Sequence, residues 1–322
     1  MQWIQLAATG LAAVLATGTA WSQQYPNKPM RWVVPYAAGG GTDVIARPIS
    51  IKLSEMLGQP ILYENRGGGS GLIAGESVAK AAPDGYTFLV VANNTHVFGS
   101  LFFDKLPFDP IKDFALITNF AVLPNVGVVN AAVPARNIAE LVTLAKASPG
   151  KVNAASSGNG SGGHLAMVMF AQMAGIKLTH VPFKGAGPAA NALLGGEVDL
   201  LFSNAGVFLP HIKAGKLRPL GVAGGKRLAV LPDTPLFTES GFPGLEASSL
   251  YGLAAPAGTP ASIIKVQHDA LLKIIHSPEN LARFSANGAT AVGNTPAQFA
   301  EEIRVEVAKW GKIIRENNIK AD

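Results

Sequence analysis

The chain has 322 residues, of which 48% are hydrophobic and only 15% are charged, which excludes a disordered chain and suits one or two cored domains. The net charge is +5, but Lys and Arg are scattered and no basic run alternates with aromatic residues, which argues against a nucleic-acid partner. Cysteine is absent, so disulfides, thiol catalysis, thiolate metal sites and a lipidated cysteine are excluded.

The N-terminal segment predicts export. An apolar stretch runs from Leu6 to Ala20 and ends in small residues, as in a secretory signal peptide. We therefore predict a leader over residues 1–22 and a periplasmic location, with a buried N-terminal helix as the alternative. The stretch falls short of the ~20 apolar residues that a membrane span requires.

The rest of the chain alternates β-rich apolar runs with helical patterns, which predicts an α/β fold with mainly parallel sheets. A first series of strands comprises MRWVVPY, PILYEN and TFLVVAN, with intervening helices over 43–57 and 72–81. The alternation restarts near Val126, with strands in KVNAASS, LTHVPF, VDLLFS and RPLGVAG and helices near 164–173, 188–194 and 209–214. This restart predicts two similar domains.

The C-terminal part returns to the first domain. SSLYGLAAP reads as a strand, and a final helix is predicted from Thr295, with Pro296 in its first turn and Gln298 completing a capping box. The apolar stripe of that helix is a core face. We predict crossings near 120–125 and 245–250, so that one lobe comprises residues 23–122 and 247–322 and the other comprises residues 123–246.

Three glycine-rich loops each follow a predicted strand and open a predicted helix, at 35–43, 64–71 and 156–164. Glycines at a helix start let an anion approach free N–H groups and a partial positive charge. The loops 35–43 and 156–164 are therefore expected to bind an anion. The loop 64–71 is read as a tight turn, because it follows a strand that the other two loops do not obviously face.

Two enzymatic alternatives remain open at this point. GNGSGG at 158–163 matches the dinucleotide pattern, as in a nucleotide-binding oxidoreductase, although no acidic residue lies between His164 and Gly196 to bind a ribose. An envelope enzyme could use Ser161 or His164 on a carboxylated substrate, although the nucleophile elbow G-x-S-x-G fails at Ser161. The six His residues lack metal-ligand spacing. We expect a binding protein without cofactor, metal or catalytic residues.

Several strings along the chain resemble one family. PYAAGGGTDVIAR, ENRGGGSG, AKAAPDGYTFLV, DPIKDFALIT, GNGSGGHLA, VPFKGAGPAANALLGGEVDLLF and GLAAPAGTP are together similar to the tripartite tricarboxylate transporter receptors, or Bug-type periplasmic binding proteins. The resemblance implies a type II Venus-flytrap fold of two Rossmann-like lobes. It implies a monomer that binds a di- or tricarboxylate or an aromatic carboxylate in the central cleft and partners membrane transporter subunits.

The resemblance also implies which residues contact the ligand. Those of the first lobe are Tyr36, Ala38, Gly39, Gly40, Thr42, Asp43 and Asn93. Those of the second lobe are Ser157, Gly158, Asn159, Ser161, His164, Lys184, Gly185 and Ser203. From the residues alone, Asp43 either caps the first helix or meets the ligand, His164 either packs or binds, and Lys184 either meets the anion or is solvated. The identity of the carboxylate is not readable from these residues.

Overall fold

The computed structural model describes residues 25–102 and 105–316, and the leader predicted over 1–22 lies outside the described residues. Strands and helices alternate along the chain, so the expected α/β class is confirmed. None of the helices in the described ranges is long and apolar enough to span a membrane.

The first part of the described chain contains three strands that are each followed by helical segments. The strands are β1 (Met30–Val34), β2 (Ile61–Asn65) and β3 (Thr87–Ala92). The helices are α1 (Gly41–Leu57), α2 (Leu72–Ala79) and α3 (Gly99–Phe102), with a 3-10 turn at Gly69–Gly71 and a π-helical turn at Asn94–Phe98. The first helix begins two residues earlier than the sequence pattern predicts, because Gly40 rather than Asp43 is its N-cap.

The second part repeats this alternation. Its strands are β4 (Phe114–Asn130), β5 (Asn153–Ser156), β6 (Thr179–Pro182), β7 (Leu200–Asn204) and β8 (Leu217–Ala223). Its helices are α4 (Ile138–Ala147), α5 (Gly162–Ala174), α6 (Ala186–Gly195) and α7 (Ala205–Lys213), and a 3-10 turn follows at Thr238–Ser240. The chain ends with β9 (Ser248–Pro256), α8 (Ala261–Ile275), α9 (Pro278–Ala286), β10 (Thr290–Ala291) and α10 (Pro296–Glu316).

The strands form two sheets that share the long strand β4. In the first sheet the order is β2-β1-β3-β9-β4, and in the second β4 pairs with β8 and with β7, which continues to β5 and β6. Strand β4 pairs with β9 from Phe114 to Pro124 and with β7 and β8 from Asn125 onward. The parallel arrangement expected from the sequence holds for β1-β2-β3 and β5-β6-β7, whereas β4, β8 and β9 pair antiparallel.

Each sheet buries apolar side chains under its helices. On one face of the first sheet, Trp32 stacks on Phe120 with ring centroids 5.8 Å apart, within a cluster that includes Leu271 of α8. The predicted capping box of α10 is present, since the Thr295 N–H donates to Gln298 and the Gln298 N–H donates to the Thr295 hydroxyl. The core stripe of this helix is also confirmed, with Phe299, Ile303 and Trp310 fully buried.

Candidate functional site

A recess lies between the two sheets, at the point where four helices begin. Helices α1, α5, α6 and α7 each start directly after a loop that leaves a strand, so their first turns converge on the recess. Strand β4, which belongs to both sheets, and its neighbour β9 contribute Asn125, Ser249 and Tyr251 to the wall of the recess. The lining residues are Tyr36, Gly40, Gly41, Thr42, Asn125, Ser157, Ser161, Gly162, Gly163, Ala186, Ser203, Asn204, Ser249 and Tyr251.

Backbone donors at two helix starts face this cavity. The first N–H groups of a helix have no intrahelical partner, and the first two residues of both α1 (Gly41 and Thr42) and α5 (Gly162 and Gly163) lie on the cavity wall. A helix N-terminus also carries a partial positive charge, which favours an anion. The two helices come from different sheets, so a bound anion would be held from both sides.

Glycine is required at these helix starts because neighbouring groups fill the space of a side chain. A Cβ on Gly41 would overlap the amide oxygen of Asn204, and a Cβ on Gly163 would overlap the carbonyl oxygen of Phe202. At Gly162 a Cβ would lie 3.0 Å from the amide nitrogen of Asn125. The absence of side chains therefore lets both helix starts pack closely against the groups that surround the cavity.

The side chains around the cavity are polar and uncharged. The Tyr251 hydroxyl donates to the Asn204 amide oxygen at 2.6 Å, and the Asn204 amide nitrogen donates to the Leu123 carbonyl at 3.2 Å. Burial raises the pKa of Tyr251 to about 12 and holds the pKa of Tyr36 well above its usual range. Among the described residues, no Asp, Glu, Lys, Arg or His lines this cavity. An anion would therefore meet hydrogen-bond donors and helix dipoles rather than a cation.

The loops of the two sheets touch above the cavity. The Ala37 N–H, which follows β1, donates to the carbonyl oxygen of Lys184, which follows β6, at 2.9 Å. A Cβ on Gly187 would lie 2.5 Å from the carbonyl oxygen of Ala38. The cavity below has a volume of about 20 Å³, which is room for little more than one water molecule. The described form is thus a closed one.

The glycine loop at 64–71, expected to lie away from the other two loops, faces both of them. A Cβ on Gly67 would lie 2.6 Å from the Ala37 nitrogen and 2.8 Å from the Lys184 carbonyl oxygen. The loop borders a second recess of about 260 Å³ that adjoins the cavity at Tyr36 and Ser157. The expectation was wrong because β2 is parallel to β1, which places the ends of both strands at the same edge of the sheet.

Asp43 supports the first glycine loop from behind. Its carboxylate accepts the Gly39 N–H at 2.8 Å and the Asn65 amide at 3.0 Å, and it forms a 3.2 Å ion pair with Arg47. The prediction that Asp43 caps α1 is wrong, because the N-cap is Gly40 and Asp43 lies within the first turn of the helix. Asp43 does not line the cavity; it fixes the loop that does.

Asn93 also acts between backbone segments rather than in the cavity. Its amide oxygen accepts the Leu250 N–H at 2.8 Å and its amide nitrogen donates to the Ser248 carbonyl at 3.2 Å. These bonds fasten the end of β3 to the start of β9. Asn93 therefore stabilises the crossing strand beside Ser249 and Tyr251, and it is absent from the cavity wall.

His164 lies behind the second glycine loop and is fully buried. Its ring nitrogen Nδ1 accepts the Gly160 N–H at 3.2 Å, and its own N–H donates to the hydroxyl of Ser161, the N-cap of α5, at 3.2 Å. A direct ligand contact from His164 is not supported by this position. Ser161 lines the cavity, and because its oxygen already accepts from His164, its proton is available to a ligand.

The remaining predicted residues divide between the cavity, the outer recess and the closing contact. Tyr36, Gly40, Thr42, Ser157, Ser161 and Ser203 line the cavity. Gly158, Asn159 and Lys184 line the outer recess, with Lys184 exposed. Ala38, Gly39 and Gly185 belong to the loops that meet across the two sheets, where Gly185 is the N-cap of α6 with φ 152°. The structure thus brings the two glycine loops together around one cavity.

A family model described as tripartite tricarboxylate transporter family receptor matches residues 45–319. This chain belongs to that family. A curated relative from Pseudomonas sp. strain P51, the UPF0065 protein in the tcbD-tcbE intergenic region, is 35% identical over 317 residues, which is 97% of this chain and 94% of the relative. The resemblance predicted from the sequence strings is confirmed, and receptors of this family are solute-binding proteins rather than enzymes.

Solved structures have the same fold as this receptor. A periplasmic transporter protein is 38% identical with a TM-score of 0.90, covering 92% of this chain and 100% of that one. Rpa4515 of R. palustris with adipate is 33% identical with a TM-score of 0.89 (92% and 99% covered). MatC of Rhodopseudomonas palustris with bound malate is 31% identical with a TM-score of 0.86 (90% and 100% covered). The binding-protein fold expected from the sequence is confirmed.

Several cavity residues of this receptor were not anticipated from the sequence. They are Gly41, Asn125, Gly162, Gly163, Ala186, Asn204, Ser249 and Tyr251. Asn204 precedes a helix in the same way as Ser161 does, so its position in SNAG was a usable signal. Asn125, Ser249 and Tyr251 lie outside the glycine motifs. They reach the cavity because β4 and β9 pair with each other beside it.

Polar clusters elsewhere in the described ranges form no metal site, since no group of three or more His, Asp or Glu side chains there could hold a metal ion. His96 is fully buried and borders a different recess, between Phe108 and Arg304. Burial lowers the pKa of His96 to about 3, so this ring is neutral.

Proposed function

We propose that this receptor captures a small organic carboxylate in the cavity between its sheets and delivers it to the membrane subunits of a tripartite tricarboxylate-type transporter. The observation that carries the proposal is the pair of facing helix starts, with Gly41 and Thr42 on one side and Gly162 and Gly163 on the other. Backbone N–H groups at helix starts bind carboxylates and phosphates without a guanidinium.

The chemistry of the lining favours a carboxylate over a cation or an amino acid. An ammonium group would need a carboxylate or several acceptors, and among the described residues no acidic side chain reaches the cavity. Four helix starts and several hydroxyl groups suit an anion. The relatives with adipate and with malate are consistent with this class of ligand.

Ligand entry requires that the two sheets separate, because the cavity is nearly filled in the closed form. We propose that residues 23–122 with 247–322 and residues 123–246 move as two lobes. The change of β4 partner between Pro124 and Asn125 supports this hinge position, and the Ala37–Lys184 backbone bond is a contact that opening would break. Small-angle scattering should show a more compact particle with ligand than without it.

We further propose export to the periplasm through the leader over residues 1–22, as a monomer. The apolar stretch from Leu6 to Ala20 supports the leader, and the similarity to a periplasmic transporter protein supports the compartment. N-terminal sequencing of the receptor from the cell envelope should begin near Gln23. A cytoplasmic receptor that still begins at Met1 would contradict the export route.

The function itself is tested by identifying the ligand. Native mass spectrometry of the freshly purified receptor should reveal a copurified acid, and calorimetric titration with that acid, adipate and malate should give one-site binding. The acid should be recovered unchanged after prolonged incubation. Turnover of a bound acid would instead support an envelope enzyme, and binding of only cationic or neutral solutes would contradict the carboxylate site.

A further inference from the structure

The second glycine loop is held in place by groups that lie behind it. The Gly158 N–H donates to the Ser156 hydroxyl at 3.1 Å, and the Gly160 N–H donates to Nδ1 of His164 at 3.2 Å. Both glycines have positive φ, 117° and 70°, so the loop is bent sharply between these two attachments. Ser157 and Ser161, on the same loop, face the cavity.

The two attachments lead to one pair of histidine rings. The His164 ring stacks on the His180 ring, with centroids 4.3 Å apart and planes inclined by 11°. Nε2 of His180 is hydrogen-bonded to the Ser156 hydroxyl at 2.7 Å, and Ser156 is fully buried. The stacked rings, Ser156 and the two glycine amides therefore form one connected network beneath the ligand loop.

This network requires that Nδ1 of His164 carry no proton. Nδ1 of His164 accepts the Gly160 N–H, which is possible only when that nitrogen carries no proton. Protonation would place two donors against each other, and two stacked imidazolium rings would repel in a buried site. Neutral imidazole is the form that holds the loop.

Few other titratable groups surround the pair. Helix α5 packs against β4, β5, β7 and β9, whose residues are all described, and the only titratable side chain on these strands is Tyr251. Burial raises the pKa of Tyr251 to about 12, so it stays neutral. On the side of β6, the nearest cations along the chain are Lys177 and Lys184, and both are exposed. The two imidazole rings are therefore the groups around the loop that gain a positive charge on acidification.

We propose that His164 and His180 are positioning residues that fix the ligand loop when neutral, so that protonation of the pair releases Gly160 and weakens carboxylate binding. The proposal rests on the function proposed above for the cavity. Acidification would then release the ligand through the loop without touching any group that contacts it.

The decisive variant is His164→Asn, because an Asn amide oxygen can occupy the position of Nδ1 as an acceptor that does not titrate. In the ligand-free receptor, the amide NMR signal of Gly160 should shift with pH in the wild type and stay fixed in H164N. Binding of the copurified acid, or of adipate, should weaken about tenfold between about pH 8 and pH 5 in the wild type and change less than about twofold in H164N.

His276→Asn is the matched control, since His276 is exposed at the end of α8 and remote from the loop. H276N should keep the pH dependence of the wild type. If H164N does not fold, the wild-type receptor still tests the proposal. In the wild type, the Gly160 amide signal must shift at the same pH as the signals of the His164 ring. The proposal would be overturned if the Gly160 amide signal did not change while the His164 ring is protonated. It would also be overturned if the ligand affinity of H164N depended on pH as strongly as that of the wild type. Absence of any acid binding at every pH would instead overturn the proposed function.

Discussion

The two helix starts that form the cavity present the same backbone donors but are supported by different chemistry. The loop before α1 is held by an ion-paired carboxylate, that of Asp43, which receives the Gly39 N–H and contacts Arg47. The loop before α5 is held by uncharged groups, the Ser156 hydroxyl and the imidazole of His164. Similar anion sites can thus be fixed by an acceptor that is charged or by one that must stay neutral.

At both helix starts, the groups proposed to bind the ligand differ from the side chains that hold those groups in position. The residues closest to the cavity at both helix starts are glycines, whereas the side chains of Asp43 and His164 lie behind the loops. Substitutions at the glycines should block the site directly. Substitutions at the supports should weaken it through the loop.

The largest effect is expected from Gly41→Ala. The added Cβ would overlap the Asn204 amide oxygen and lie 3.0 Å from the Tyr251 hydroxyl, so the cavity wall must shift. We expect about 100-fold weaker binding by calorimetry, the upper part of the cost of overpacking. Gly195→Ala is the control, because its Cβ would lie 3.6 Å from Glu197 in ordinary contact. Equal ligand affinities of G41A and G195A would show that the start of α1 does not contribute to ligand binding.

Asp43→Asn should have the next largest effect. The substitution weakens a charge-assisted acceptor of the Gly39 N–H and removes the ion pair with Arg47. Such a hydrogen bond to a charged group contributes ~1.5–3 kcal/mol, so we expect about tenfold weaker binding. Asp109→Asn is the control, since Asp109 accepts the Ile111 and Lys112 N–H groups in a distant loop. A similar loss of affinity in D109N would show that the effect is not specific to the cavity loop.

His96 provides a pH effect on stability that is separate from binding. Its pKa is lowered by burial to about 3, so the unfolded chain binds a proton below about pH 6.5 while the folded chain does not. Stability should therefore fall as pH drops through this range, by about 1 kcal/mol between about pH 6.5 and 5.5 and by about 1.4 kcal/mol for the next pH unit below. His96→Asn should flatten this slope in urea unfolding while leaving the pH dependence of ligand affinity unchanged. A slope that is identical in H96N would exclude His96 as its source.

Ser161→Ala should have the smallest effect of this series. It removes the N-cap of α5, which costs about 1 kcal/mol of stability, and one donor to the ligand, which contributes roughly 0.5–1.5 kcal/mol to binding. Ser277→Ala removes a comparable cap from α9, far from the cavity. Both variants should lose similar stability in thermal unfolding, but S161A alone should bind less tightly. Parallel binding losses in both would mean that Ser161 acts only as a cap.

The fold was readable from the sequence wherever local patterns decide it. Strands β1, β3 and β7 coincide with apolar runs of the sequence, and the capping box at Thr295 marks the start of the last described helix. The antiparallel pairing of β4 and β9 was not readable, because these strands are defined by partners more than 100 residues away in sequence. The same long-range pairing brings Asn125 and Tyr251 to the cavity.

The site was readable to the extent that glycine loops mark helix starts. Anion binding by the loops 35–43 and 156–164 was predicted from their positions after strands and before helices. The individual contacts Gly40, Thr42, Ser157 and Ser161 were implied by the family resemblance, and all four line the cavity. It could not assign Asp43 and His164 to the far side of their loops, since spacing alone does not tell on which side of a turn a side chain lies. The contact of the loop 64–71 with Lys184 depends on the closed arrangement of both sheets.

The central claim, that a carboxylate is held by backbone N–H groups of two helices from opposite sheets, is tested most directly by amide NMR during titration with the copurified acid. The account predicts large downfield shifts of the Gly41, Thr42, Gly162 and Gly163 amide protons, saturating together with a single affinity. Shifts confined to one helix start, or to residues outside the cavity, would contradict it.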